Sequence, residues 1–103
     1  MKIYLDDQFP APAGWIKVTH PNDVISYIRR GEAEIIDLDY HLGNDREYTG
    51  ITVLEWLQKE IGENRIPARV PEIIIHTNDT EAKERMEGVR RRIYKWIGRD
   101  LAE

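Results

Sequence analysis

Glu34-Ile35-Ile36-Asp37-Leu38-Asp39 and Ile73-Ile74-Ile75-His76-Thr77-Asn78 decide the fold. Each is a short β-branched apolar run that ends abruptly in polar, chemically capable residues. Ile73–Ile75 is apolar at consecutive positions, which reads as a strand covered on both sides. Working outward, Lys2-Ile3-Tyr4-Leu5 repeats the pattern and runs into Asp6-Asp7. Trp15–Val18 is a further short strand. Pro10, Pro12 and Gly14 forbid strand or helix between these two, leaving roughly nine residues where a helical crossover needs a dozen or more. Either that crossover has shrunk to a loop or the second strand pairs differently.

Helices separate the remaining strands. Asn22 is the expected N-cap of a first helix carrying Val24, Ile25 and Ile28 on one face, with Gly31 after its end. Thr49 is the expected cap of a second over Ile51–Ile61, with Leu54, Leu57 and Ile61 inward and Gly62 closing it. Pro67 and Pro71 frame the next loop. Thr80 or Asn78 is expected to start a long third helix with Met86, Val89, Ile93, Ile97 and Leu101 as its core stripe. The order β-β-α-β-α-β-α predicts a mainly parallel sheet with helical cover.

The chain has 103 residues, 15 Lys+Arg, 19 Asp+Glu and a formal charge of −4. That length fits one domain. The acidic balance argues against a duplex DNA binder. Cysteine is absent, which excludes disulfides, thiolate metal sites and cysteine nucleophiles. No apolar run approaches the ~20 residues of a membrane helix. Met1–Asp7 meets two acids where a signal peptide would turn apolar. A soluble cytoplasmic protein without a membrane partner is the expectation; its oligomeric state stays open.

Charge is uneven along the chain. Residues 80–103 carry 7 basic and 5 acidic groups, while the first 79 carry 8 and 14. A basic last helix can hold an anion, or it can be a solvated face. Arg85 lies near that helix's N-terminus, where it can meet an anion together with backbone N–H groups. Arg91 and Arg92 read as solvated. Trp15, Trp56 and Trp96 read as core or interface, although such rings also stack bases.

Open parallel sheets bind ligands beyond the C-terminal ends of their strands, where strand order reverses. Three strand ends here carry Asp6-Asp7, Asp39 followed by His41, and His76-Thr77-Asn78. If the first and third strands are neighbours, three carboxylates converge, and a cation or raised pKa values must relieve them. Oxygen ligands of that kind suit Mg²⁺ before Ca²⁺ or Mn²⁺. The competing reading makes these acids turn formers and helix caps. His76 suits proton transfer near neutrality, or a simple loop hydrogen bond. His41 is a metal ligand, an acid or an exposed side chain, and His20 carries no signal.

The acidic pair, the third-strand Asp and the fourth-strand Thr resemble a two-component receiver domain. In that family such acids hold Mg²⁺, the third-strand Asp is phosphorylated and a Thr or Ser reads the phosphoryl group. The resemblance places these roles on Asp6, Asp7, Asp39 and Thr77. The Lys that receivers carry on a fifth strand has no counterpart here.

A closer resemblance covers nearly the whole chain. Lys2–Asp7, Pro12, Gly14-Trp15, Leu38-Asp39-Tyr40-His41-Leu42-Gly43, Thr49-Gly50, His76-Thr77 and Arg85-Met86 resemble the cyclic-phosphate processing receiver domains. The third-strand motif of that family reads Leu-Asp-His-Asp-Leu-Gly, so Tyr40 and His41 stand where it has His and Asp. The resemblance implies one receiver-like (flavodoxin-like) α/β domain over residues 1–103. It would be a three-layer sandwich with four main strands in order 2-1-3-4. It also implies a metal-assisted phosphoesterase acting on a cyclic nucleotide or an RNA 2′,3′-cyclic phosphate end, in the manner of RNA repair. Asp6, Asp7 and Asp39 would hold Mg²⁺ or Mn²⁺, with His41 as a possible addition. His76 and Asp39 would be catalytic, and Thr77, Asn78 and Arg85 would bind phosphate. The alternatives are a non-catalytic cyclic-nucleotide or phosphate-binding module, and a degenerate receiver working through protein contacts.

Overall fold

The computed structural model describes residues 1–43 and 48–99. Its elements are β1 (Lys2–Leu5), β2 (Ile16–Val18), α1 (Pro21–Arg29), β3 (Ile35–Leu38), α2 (Ile51–Gly62), β4 (Glu72–Ile75) and α3 (Thr80–Trp96). The four strands form one parallel sheet in order β2-β1-β3-β4. This is the receiver-like α/β fold expected from the sequence. Because β2 pairs parallel to β1, the first crossover has indeed become a loop.

The handedness of the connections explains the layering. The steps β2–α1–β3 and β3–α2–β4 move across the sheet in one direction. Right-handed crossovers therefore put α1 and α2 on one face. There α2 packs against both α1 and α3. Beneath the helices Ile3, Leu5, Ile36 and Leu38 are fully buried and Ile73 nearly so. Val24, Ile28, Val53, Leu54, Leu57, Met86 and Ile93 meet them from above.

Only the β1–β2 step runs the other way, and its segment forms no helix. In place of a second helical layer, Trp15 stands edge-on to Tyr4, with ring centroids 6.3 Å apart. Tyr4, Asp37 and Ile74 are in register across this thinly covered face. Ile74 is 37% exposed, so the expectation of a fourth strand covered on both sides is corrected. β4 is an edge strand with one open face.

Several caps differ from expectation. His20, not Asn22, caps α1, its Nδ1 accepting from the Asn22 N–H at 3.0 Å. Asp79, not Thr80 or Asn78, caps α3 and accepts from the Ala82 N–H at 3.0 Å. Helix α2 starts after Gly50 without a side-chain cap, and its end is turned by Asn64 at φ 62° rather than by Gly62. Gly50 replaces a Thr49 cap for a steric reason. A Cβ on Gly50 would lie 1.6 Å from the Asp39 carbonyl oxygen, and the Gly50 N–H bonds the Tyr40 carbonyl at 2.9 Å. Asn44, Asp45 and Leu101 lie outside the described residues.

Candidate functional site

The sheet ladder runs past the strand ends and fixes the backbone of three functional residues. The Asp6 N–H bonds the Val18 carbonyl at 3.1 Å, the Asp39 N–H bonds that of Leu5 at 3.1 Å, and the His76 N–H bonds that of Leu38 at 2.9 Å. Neighbouring strands thus present these residues side by side at the C-terminal edge, where β2 and β3 leave β1 in opposite directions. One ligand atom from each of Asp6, Asp39 and His76 lies within 4.8 Å of the others. With Phe9, Thr77 and Asn78 they line a pocket of about 140 Å³.

Asp6 is fully buried. Its Oδ1 accepts from the N–H groups of Gln8 at 2.8 Å and Phe9 at 3.1 Å, and its Oδ2 meets His76 Nε2 at 3.0 Å. Burial opposes its charge, but the two N–H donors and His76 outweigh burial and lower its pKa. The other ring nitrogen of His76, Nδ1, bonds Asp37 Oδ1. The imidazole lies flat on Tyr4, 4.6 Å away and 7° from parallel. Burial disfavours the imidazolium too, yet Asp37 and Asp6 prevail and raise the pKa of His76. Protonated histidine is also the only form that donates from both nitrogens.

Asp39 behaves oppositely. Its Oδ1 accepts from the Tyr40 N–H at 2.7 Å, but burial, with the Asp6 charge added, raises its pKa. The proton affinities of the two neighbouring carboxylates are therefore driven in opposite directions, lowered at Asp6 and raised at Asp39, the pattern that separates acid and base roles.

The remaining expected residues are placed differently. Asp7 stands outside the cluster, against a turn where a Cβ on Gly43 would lie 2.6 Å from its Oδ2. Its Oδ1 is buried without a hydrogen-bond partner. Thr77 Oγ1 accepts from the Asp79 N–H at 3.2 Å. His41 is exposed and its Nε2 pairs with Asp79 Oδ2 at 2.8 Å. Arg85 does not enter the pocket. It donates to the Tyr40 hydroxyl at 2.9 Å with its guanidinium over that ring. Asp37 carries no functional signal in the sequence, and Tyr4 and Gly50 enter there only as members of the motifs Lys2–Asp7 and Thr49-Gly50. Asp37 and Tyr4 look like ordinary strand residues until register sets them beside His76.

A parallel sheet in order 2-1-3-4 with acids at its switch point defines a protein of the receiver class, lacking a fifth strand among the described residues. The chain belongs to the cyclic-phosphate processing receiver domain family, whose model matches residues 1–92. A role related to cyclic-phosphate processing follows from that membership. No curated protein and no solved structure matches the chain. No described helix is long and apolar enough to cross a membrane.

Proposed function

We propose that this protein opens cyclic phosphates, of a 2′,3′-cyclic nucleotide or of an RNA end, by hydrolysis to the monoester. The observation that carries this reading is the convergence of Asp6, Asp39 and His76 in one pocket with their proton affinities driven apart. Water adds to phosphorus and one ring P–O bond breaks. Protonated His76 gives its Nε2 proton to the departing sugar oxygen, which competes with Asp6 for that N–H, and Asp39 takes the proton from water. Such proton transfers typically contribute 10²–10⁴-fold each. Thr77 and Asn78 hold the phosphate at the pocket wall.

The carboxylates of Asp6 and Asp39, with the unpartnered Asp7 Oδ1 near the same strand end, suit Mg²⁺ or Mn²⁺. When bound, such an ion would polarise a phosphoryl oxygen and lower the pKa of a water. One observation favours capture without turnover: both nitrogens of His76 are already engaged by carboxylates. Incubation with 2′,3′-cyclic nucleoside monophosphates and Mg²⁺ or Mn²⁺, read by ³¹P NMR, separates the two. Monophosphate is the expected product. Thermal stabilisation by the ligand with no product would establish a binding module instead.

A further inference from the structure

The C-terminal half of α3 carries a second surface that the pocket chemistry does not use. Gly88, Arg91, Arg92 and Lys95 fall at i, i+3, i+4 and i+7, so they share one helix face. With Trp96 they line an open groove of about 420 Å³. A Cβ on Gly88 would meet nothing within 4 Å, so the groove floor is bare backbone. Trp96 is 49% exposed, contrary to a core role, with its ring edge resting on Gly62.

Among the described residues no ion pair or hydrogen bond engages the side chains of Arg91, Arg92 and Lys95. The acids of α3, Glu81, Glu84 and Glu87, all lie in its first half, and Glu87 is 3.7 Å from Arg90. The helix dipole rewards cations only within the last turn, which accounts for Lys95 but not for Arg91 or Arg92. Three cations without a partner among the described residues, set around an exposed indole, match a ligand that alternates phosphates with accessible planar bases. A duplex hides its bases, whereas a single strand offers them.

We propose that the Gly88–Trp96 face of α3 binds single-stranded nucleic acid, Trp96 stacking on a base while Arg91, Arg92 and Lys95 take the flanking phosphates. At 1.5 Å per residue, Trp96 lies about 24 Å along α3 from Thr80 at the pocket end. One mononucleotide cannot fill both places, and a strand can. The proposal does not depend on the reaction assigned to the pocket, so its test uses a probe that the pocket chemistry cannot touch.

The probe is a 12-nucleotide oligouridylate with hydroxyls at both ends, titrated by fluorescence anisotropy at 50 and 200 mM salt. Three phosphate contacts predict a log–log salt slope of about −2 and a loss of about 20-fold across that range. Arg92→Gln/Lys95→Gln should flatten the slope to about −0.7 and weaken binding at least about tenfold at 50 mM. Trp96→Leu should weaken binding about tenfold with the slope unchanged; Trp96→Phe, which keeps a ring, should recover most of that loss. Absence of binding at 50 mM, wild-type binding by the charge variant, or equal affinity for a duplex would overturn the proposal. So would self-association that the charge variant abolishes, because the face would then belong to a second copy of the chain.

Discussion

Replacing His76 by Ala removes an imidazolium that sits among three acids. Two hydrogen bonds to carboxylates are lost, at Asp37 and at the fully buried Asp6, together with the stack on Tyr4. Charged hydrogen bonds contribute about 1.5–3 kcal/mol each and an aromatic pair about 1 kcal/mol. Asp6 keeps its two backbone donors, so the loss falls short of the full sum. We expect about 3 kcal/mol at pH 6, or roughly 15 °C in Tm for a domain of this size. The pH dependence is the sharper part. Because the folded pKa of His76 is raised, its contribution is complete below the ordinary imidazole value and is lost as pH rises through the folded pKa. The lowered pKa of Asp6 sets the other limit: its contribution is present above the ordinary carboxylate value and fades as pH falls through the folded pKa. Thermal melting by circular dichroism from pH 3 to 10 should show a gap between wild type and His76→Ala that is widest near pH 5–6 and narrows on both sides. A gap that stays constant, or widens above pH 8, would refute the pairing.

Four further outcomes follow from the same geometry. Asp39→Asn keeps an acceptor for the Tyr40 N–H and removes a charge that burial and Asp6 disfavour. The metal-free variant should therefore melt no lower than the wild type, read by circular dichroism. Wild type should gain stability with millimolar Mg²⁺ or Mn²⁺, about 2.7 kcal/mol at 100 times Kd, and Asp39→Asn should gain less; unchanged wild-type melting would dismiss the metal. Gly50→Ala must displace α2 from the Asp39 carbonyl and should cost more than about 4 kcal/mol, seen as failure to fold or a collapsed urea midpoint. Acetyl phosphate with Mg²⁺ should leave no stable adduct on Asp39, since no Lys is among the described residues that line the pocket; intact mass decides, and an adduct lost in Asp39→Ala would instead mark a signalling receiver.

The strands were legible because Ile35-Ile36 and Ile73–Ile75 are β-branched runs bounded by polar residues, and because each ended in acids or a histidine. The open face was less so. It depends on which way the chain steps between strands, and that required knowing that β2 pairs with β1. Asp37 was hidden for a related reason: two residues before Asp39 it reads as a polar residue on an alternating strand. Only the register Asp37↔Ile74 brings it beside His76. Capping chemistry misled for His20 because imidazole is a rarer cap than Asn. Arg85 was assigned to an anion by its place near the α3 N-terminus, while Tyr40 offers it a hydroxyl and a ring instead.

The rates at which wild type, His76→Gln and Asp39→Asn open a 2′,3′-cyclic nucleotide, compared at equal folded fraction by ³¹P NMR, test the roles of His76 and Asp39 most directly. Each substitution should lower the rate at least about 100-fold, the lower bound for losing a positioned proton donor or acceptor. Measurable turnover by wild type that persists undiminished in both variants would place the chemistry elsewhere and contradict the account.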